Sequence, residues 1–578
     1  MSELPPTPPP PDDGDGDGDD HGVGAMRRNS TLIAAGIALS RVSGLLRDVV
    51  LAFFLGANVG ADAFRAALKI PNLLQNLLGE GVLSASFIPS YSRLLAEERE
   101  EDAGRLAGAV LGLLTVLIGI LVLLGMVLAG PLVRVLTPGF SGERLELTVL
   151  LVRIMFPGIG FMVLSAWCLG VLNAHRRFFL SYVAPVLWNL GILVTLVSLA
   201  LTEVTRPAVA AGIGVVVGGA AQLAVQLPRV RRVLRGTLRV SLDRTVTGVR
   251  TVLRAFGPVV LGRGALQVAA LVELAAASLL AVGAVAVLGY AQTLYLLPIA
   301  LFGMSVAAAE LPELSTLDAR GRAALTARLD TGLARSAFFA LAATVGYLVV
   351  GTDLVTVLFG RGAFDAETSF QVAVVLGFYS LGLVPATASR LLQSVLYAED
   401  DTRTPALYAV ARVAVALTVA VPLMLNLDRL VVDLAQPAGF ALAEGARLPT
   451  LAPVDASLRA VEVNQLRLGT VGLAIGNALG SWVEYLLLRR AVGRRTGSRP
   501  RLAGGTGGRL TVVVVALVVL VPVVAGQLPA EVAALPRLVV VGGASGLVYL
   551  LAGWLLRVPE AEALLRRVGL RRRPAVSR

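Results

Sequence analysis

An apolar run from about Leu32 to Leu55 carries three formal charges, Arg41, Arg47 and Asp48, within Ser40-Arg41-Val42-Ser43-Gly44-Leu45-Leu46-Arg47-Asp48. The run is long enough to cross a bilayer as a helix. A charge near the bilayer centre costs about 2.5–3.5 kcal/mol on insertion scales. On a helix, Arg41, Gly44 and Asp48 share one face. That face cannot look at lipid. The chain must therefore fold around a protein interior or a water-filled chamber inside the membrane.

The rest of the chain agrees. It is 56% hydrophobic and 16% charged over 578 residues, with a mean hydropathy of +0.77. Soluble domains carry about 25% charged residues, so the composition predicts an all-α polytopic membrane protein. The net charge of +12 does not point to nucleic acid. Its arginines cluster in short segments between apolar runs, the pattern of the positive-inside rule. Lys69 is the only lysine, the single Cys168 permits no intramolecular disulfide, and His21 and His175 form no cluster for a metal. A P-loop needs Gly-Lys-Ser/Thr, whereas Lys69 is followed by Ile70. No zinc pair or nucleophile elbow is present, so the sequence predicts no enzyme and no cofactor.

Residues 1–29 are Pro-rich, then Asp/Gly-rich, and read as a disordered acidic tail rather than a signal peptide. Met26-Arg27-Arg28 offers a second translation start. Apolar spans follow at about 31–56, 63–95, 106–130, 147–172, 181–202, 208–227, 251–280, 284–311, 333–358, 369–397, 405–426, 468–488, 510–526 and 537–556. That makes roughly fourteen helices of membrane-crossing length. The second is expected to break at Pro71, Gly79, Gly81 and Pro89. With the N-terminus inside, Arg176-Arg177 and the stretches 229–254, 320–335, 489–509 and 566–578 fall on one side, which predicts both termini in the cytoplasm. The outer loop 428–467 is polar and contains proline, and leaves open a small cap or a disordered segment. The glycine-rich Gly212–Gly219 predicts close helix packing without chemistry.

The chain also repeats itself. Leu172-Asn-Ala-His-Arg-Arg-Phe-Phe and Leu396-Tyr-Ala-Glu-Asp-Asp-Thr-Arg join consecutive helices, and the same offset carries Phe140 onto Phe364. Pro89-Ser-Tyr-Ser92 meets Pro312-Glu-Leu-Ser315 within one residue of it. Chance matching of short strings is the competing explanation. A true repeat predicts two six-helix bundles of like orientation, residues 30–228 and 229–490, followed by two further helices and a basic tail in 491–578. Arg41 then lands near Arg263 and Asp48 near Glu273, so each bundle's first helix brings an arginine and an acid to the central cleft.

The charged segment Ser40–Asp48, Ala61-Asp62-Ala63-Phe64, Ile70-Pro71-Asn72-Leu73-Leu74, Gly79-Glu80-Gly81 and Ser86-Phe87-Ile88-Pro89 resemble the MurJ (MviN) family of lipid II flippases, within the multidrug/oligosaccharidyl-lipid/polysaccharide exporter superfamily. Thr137-Pro138-Gly139-Phe140, Gln226-Leu227-Pro228 and Asp401-Thr402-Arg403-Thr404-Pro405 extend the resemblance over about residues 27–560. It implies a bacterial cytoplasmic (inner) membrane protein with fourteen helices and a central cationic cavity. It also implies an undecaprenyl-pyrophosphate-linked glycolipid as substrate, a groove for the lipid tail at the last two helices, and cell-wall synthesis proteins as partners. The chain departs from the family where many members carry Arg, at Gln75, and Arg and Glu, at Thr293 and Leu296.

A pyrophosphate headgroup calls for guanidinium groups, which bind phosphate oxygens in bidentate fashion and stay protonated. The substrate-binding candidates are Arg41, Arg47, Asp48, Asp62, Arg263 and Arg390. Each has a plain alternative. Arg41 pairs with Asp48, Arg47-Asp48 anchors at the interface, Asp62 caps the second helix, Arg263 bridges Glu273, and Arg390 snorkels or balances Glu273 or Glu310. Glu80, Glu273 and Glu310 are candidates for gating or for binding a coupling cation, Na+ or H+, unless the membrane potential drives the cycle. Pro71, Pro89, Pro298 and Pro312 are hinge candidates, against ordinary proline tolerance in membrane helices. The expected function is alternating-access flipping of a lipid-linked precursor. The rivals are export of other lipid-linked oligosaccharides or drugs, and a non-transporting scaffold for wall synthesis.

Overall fold

In lipid no water pairs with exposed N–H and C=O groups, so apolar runs of this length close their hydrogen bonds internally as helices. The computed structural model describes residues 18–202, 205–303, 322–399, 401–433, 440–442, 448–455, 458–459, 465–497, 499–501, 507–525 and 532–567. The first half of the fold comprises α1 (Gly18–Leu55), α2 (Val59–Leu78), α3 (Glu80–Ser86), α4 (Ile88–Ala96), α5 (Glu100–Val127), α6 (Ala129–Leu136), α7 (Gly142–Ala174), α8 (Phe178–Leu201) and α9 (Pro207–Val233). The second comprises α10 (Val249–Ser278), α11 (Ala284–Pro298), α12 (Arg322–Phe359), α13 (Ala366–Ser380), α14 (Leu383–Ala398), α15 (Arg403–Leu427) and α16 (Gly469–Thr496). Then come α17 (Gly507–Ala525), α18 (Ala534–Arg537), α19 (Gly543–Leu555) and α20 (Pro559–Arg567). Among the described residues nine helices are long and apolar enough to cross a membrane, and the bent pair α13–α14 makes a tenth. The charge-bearing α1 and α2 are not among them.

Several boundaries differ from the sequence reading. The first helix begins at Gly18, inside the segment expected to be disordered, because extending a formed helix adds one hydrogen bond per residue fixed. The second span runs unbroken through Pro71 and breaks only at Gly79 and Phe87. A Cβ at Gly79 would lie 2.3 Å from the carbonyl oxygen of Gln75, so the break needs glycine. Pro89 falls in the first turn of α4, where its missing N–H costs nothing. Pro298 ends α11, and a π-helical turn, Ile299–Gly303, follows it. The span expected at 369–397 bends by 46° between Ser380 and Leu383. Glu310 and Pro312 lie outside the described residues.

Glycine sets the closest helix contacts. On α9, Gly218 and Gly219 face the carbonyls of Trp188 and Gly158 on α8 and α7, within 2.5 Å of where a Cβ would sit. On α5, Gly104, Gly108 and Gly112 form a groove holding the extended segment 237–241, whose backbone approaches within 2.8 Å of each would-be Cβ. The outer loop forms a cap. Its three strands, β1 (Leu430–Asp433), β2 (Phe440–Leu442) and β3 (Gln465–Arg467), pair antiparallel in the order β2-β1-β3, with Val431 between Ala441 and Arg467. The last helices pack on α12 through Phe338, Leu510, Leu517 and Tyr549, and the Tyr549 hydroxyl donates to the Phe338 carbonyl at 2.9 Å.

The two halves meet reciprocally at the end opposite the arginine-rich turns. The turn before α7 lies on the end of α10, where the Gly139 N–H donates to Ser278 Oγ at 3.1 Å. The turn before α13 lies on the end of α1, where the Ala363 N–H donates to the Phe53 carbonyl at 2.8 Å. Phe140 and Phe364, matched by the internal repeat, are both buried there.

Candidate functional site

Two polar clusters lie where these helices converge. The first is built on Asp48, which is 2% exposed. Its carboxylate accepts from Arg47 at 2.9 Å and from Thr293 Oγ1 of α11 at 2.8 Å, with Arg65 of α2 at 3.9 Å. Arg47 Nη1 also donates to Asn189 Oδ1 at 3.0 Å, and Asn189 donates to Ser43 Oγ at 2.9 Å. The guanidinium groups lie over aromatic rings, Arg47 5.2 Å from Trp188 and Arg65 4.4 Å from Tyr290. Gly289 makes room for Arg65, since a Cβ there would come within 2.9 Å of its Cδ. One carboxylate thus faces two guanidinium groups. Arg65 Nη2 is buried without a hydrogen-bond partner among the described residues. Lys69 stands one turn along α2 on the same face.

The second cluster seals the end opposite the basic turns. Asp62 is fully buried. It accepts from the backbone N–H of Gly283 at 2.7 Å and of Ala286 at 2.8 Å, which are unpaired donors at the N-terminus of α11. It also pairs with Arg144 of α7 at 2.6 Å, and Arg144 lies 3.8 Å above the Phe140 ring. The second helix is capped instead by Asn58, whose side chain accepts from Gly60 and Ala61. Asp62 therefore caps a helix of the other half. The Tyr290 hydroxyl adds a bond to the Gly56 carbonyl at 3.1 Å. Above this seal, Arg459 of the cap donates to the carbonyls of Gly139 and Val454, and its own carbonyl accepts from Val282 N.

In the second half, Glu273 accepts from Gln292 at 2.6 Å and from the Tyr379 hydroxyl at 3.1 Å. It lines a cavity of about 520 Å³ together with Arg412 and Asn477. Arg412 is held by Glu484 at 3.2 Å and Asn477 at 3.0 Å, and Gln393 donates to Glu484 at 3.0 Å.

The sequence candidates divide accordingly. Arg47 and Asp48 share one cluster, Asp62 anchors another, and Glu273 lies in the second half with neutral donors. Arg41 and Arg390 are exposed and make no ion pair among the described residues. Asp48 is paired by Arg47 and Arg65, and Arg41 is not among its partners. The side chains of Glu80 and Arg263 lie outside the described residues, as does Glu310 entirely. Sequence reasoning passed over Arg65, Arg144, Arg412 and Arg459. For Arg65 a signal was present, its i, i+4 spacing with Lys69 in an apolar helix. Arg144 and Arg459 gave none, because their partners lie far away in sequence.

A family model described as "Lipid II flippase MurJ" matches residues 51–447. The chain is 34% identical over 408 residues to a "Probable lipid II flippase MurJ" of Bdellovibrio bacteriovorus, covering 69% of this chain and 76% of that protein. It is 33% identical over 379 residues to a "Lipid II flippase MurJ" of Burkholderia cenocepacia, covering 64% and 73%. In fold it is similar to a solved lipid II flippase MurJ in an inward closed conformation, at TM-score 0.69 and 20% identity over 93% of this chain and all of that one. It is also similar to an inward-facing multidrug resistance MATE transporter of the MOP superfamily, at TM-score 0.56 and 16% identity over 79% and 95%. With more than half its length matched by the family model, the chain belongs to the lipid II flippase MurJ family, a family of multi-pass membrane transporters.

Proposed function

We propose that this protein moves lipid II from the inner to the outer leaflet of the bacterial cytoplasmic membrane by alternating access, both termini being cytoplasmic. The observation that carries the reading is the Asp48 cluster, in which two guanidinium groups face a single carboxylate inside a membrane bundle. Such an excess suits a pyrophosphate, which accepts bidentate hydrogen bonds and neutralises the surplus. Arg41, exposed six residues before Arg47 on α1, receives the headgroup first. Arg47 and Arg65 hold it, with Arg263 and Arg390 assisting from the second half.

The Asp62–Arg144 contact closes the outer end while substrate enters from the inside. Glu273, bonded only to neutral donors among the described residues, takes up the coupling cation, Na+ or H+. Glu80 and Glu310 act in gating, and Pro71, Pro89, Pro298 and Pro312 serve as hinges. Residues 30–228 and 229–490 rock against each other, while the apolar cleft of α12 and α19 holds the polyprenyl tail. The test is translocation of fluorescent lipid II in vesicles containing only this protein. Flipping lost in Arg41→Ala, with insertion intact, supports the assignment, and full flipping by that variant sinks it. Transport of another lipid-linked oligosaccharide or a drug in place of lipid II would favour the first rival. Dispensable cavity charges combined with essential termini would favour the scaffold.

A further inference from the structure

A second basic site lies away from the cleft. The turn joining α7 to α8 and the end of α9 enclose a cavity of about 260 Å³ lined by His175, Arg177, Arg229, Arg232, Val233 and Arg235. This is below the roughly 300–1,000 Å³ of pockets that enclose drug-sized ligands, and it suits a headgroup. None of the four arginines forms an ion pair among the described residues, and no carboxylate lines the cavity. Glu100 acts on His175 from outside the lining.

The backbone that carries these side chains is held in place. His175 N–H and Arg177 N–H bond back to the Val171 and Leu172 carbonyls, and His175 Nε2 is held 2.8 Å from the Tyr91 hydroxyl. Buried Leu234 anchors the chain between Val233 and Arg235. Four exposed guanidinium groups gathered around one small space repel one another, and an oxyanion relieves that repulsion while accepting hydrogen bonds from their paired N–H donors.

Depth identifies the occupant. The apolar span of α7 ends at Ala174, the cavity begins at His175, and apolar α8 starts at Phe178 with Phe179 54% exposed beside it. The guanidinium groups therefore sit at the level of lipid phosphates, with an apolar flank for acyl chains.

We propose that this cavity is a phosphate-binding site filled by the headgroup phosphate of an anionic phospholipid in the leaflet at the arginine-rich end. The inference stands whether or not the transport reading is right.

The test uses the full chain in non-ionic detergent, with native mass spectrometry to count bound lipid. Dioctanoyl phosphatidylglycerol should bind the wild type and lose about 25-fold in affinity in Arg229→Gln/Arg232→Gln, about fivefold for each juxtamembrane arginine removed. Arg229→Lys/Arg232→Lys, which keeps the charge, should retain most of the binding. Arg250→Gln/Arg254→Gln removes the same charge from the exposed first turns of α10 and should leave binding intact. Competition by inorganic phosphate at equal concentration would keep the phosphate site but move its occupant from the leaflet to solution. Equal binding of dioctanoyl phosphatidylcholine, an unchanged affinity in the Arg229/Arg232 glutamine variant, or an equal loss in the Arg250/Arg254 variant would overturn the proposal.

Discussion

Arg65 takes up a position in space that the family resemblance assigns to another residue in sequence. The resemblance implies an arginine where this chain has Thr293, and here Thr293 and Arg65 meet at the same carboxylate from α11 and α2. Arg65→Ala should lower lipid II flipping in vesicles at least tenfold, and adding Thr293→Arg should bring it back to within about fivefold of wild type, because an ion-paired guanidinium is hard to replace once buried. Wild-type flipping by Arg65→Ala would remove Arg65 from the site. The charges of α1 were legible as charges in an apolar run. Their partners were not, since Asn189 and Thr293 lie 142 and 245 residues away from Arg47 and Asp48. His175 offers a second test outside the spans. Burial holds its imidazole below the usual value, with Arg177 and Arg235 adding to the effect. Below about pH 6.5 the folded protein then binds fewer protons than the unfolded chain, so stability is present above that value and lost as pH falls through it. Melting temperatures in detergent should drop between pH 7.5 and 5.5 for the wild type and drop less for His175→Gln.

At the level of elements, helix positions were readable because a membrane demands about twenty apolar residues per crossing. Breaks were harder to read. Pro71 and Gly81 look like breakers, yet only Gly79 and Phe87 interrupt the second span, because a helix packed on neighbours tolerates one lost bond. The cap was left open against disorder, and its strands were unreadable, since they are three or four residues long and pair only in three dimensions. The glycine stripe of α5 shows what such a pattern can hide. Its Gly-x-x-x-Gly spacing suggests helix–helix contact, but its partner is the extended segment 237–241 of the linker between the halves. That segment therefore belongs mechanically to the first half. At Gly108 a Cβ would stand 2.0 Å from the Arg239 carbonyl oxygen, a backbone atom that cannot swing aside. Gly108→Leu should cost upwards of 3 kcal/mol, beyond ordinary overpacking, and lift the strap, freeing the backbone at the already exposed Arg235, Arg239 and Arg244 for cleavage by trypsin. Gly119→Leu, with no atom within 4 Å, should be silent in the same digestion.

For the whole molecule the question is what must break for the sealed end to open. The internal repeat, legible from pairs such as Phe140 and Phe364, predicted two like halves, and their contacts at this end are likewise reciprocal. Each half rests one turn on the other's first helix. Most of these contacts are single backbone bonds or apolar packing, which two surfaces can exchange for lipid or water at modest cost. Asp62 differs. With Arg144 it forms an ion pair whose side chains are 0% and 6% exposed, and it also satisfies two helix N–H groups of the opposite half. Removing one partner of a buried pair costs about 3–5 kcal/mol. Asp62→Asn pays that cost mainly in the sealed state, where Arg144 is left buried with Asp428, which is not in contact with it, as its remaining acidic neighbour. Opening hydrates Arg144 and relieves it. The ratio of sealed to open molecules should then fall by about two to three and a half decades, at about 1.4 kcal/mol per decade. Ser278 reports the change, because it is fully buried behind the Gly139 turn and differs little in size from cysteine. In a chain with Cys168→Ser and Ser278→Cys, a charged maleimide should label Cys-substituted position 278 slowly. Adding Asp62→Asn should raise the labelling rate about 100-fold or more. An unchanged rate would mean that the two halves hold this end shut through packing and backbone contacts alone, and that Asp62 serves only to start α11.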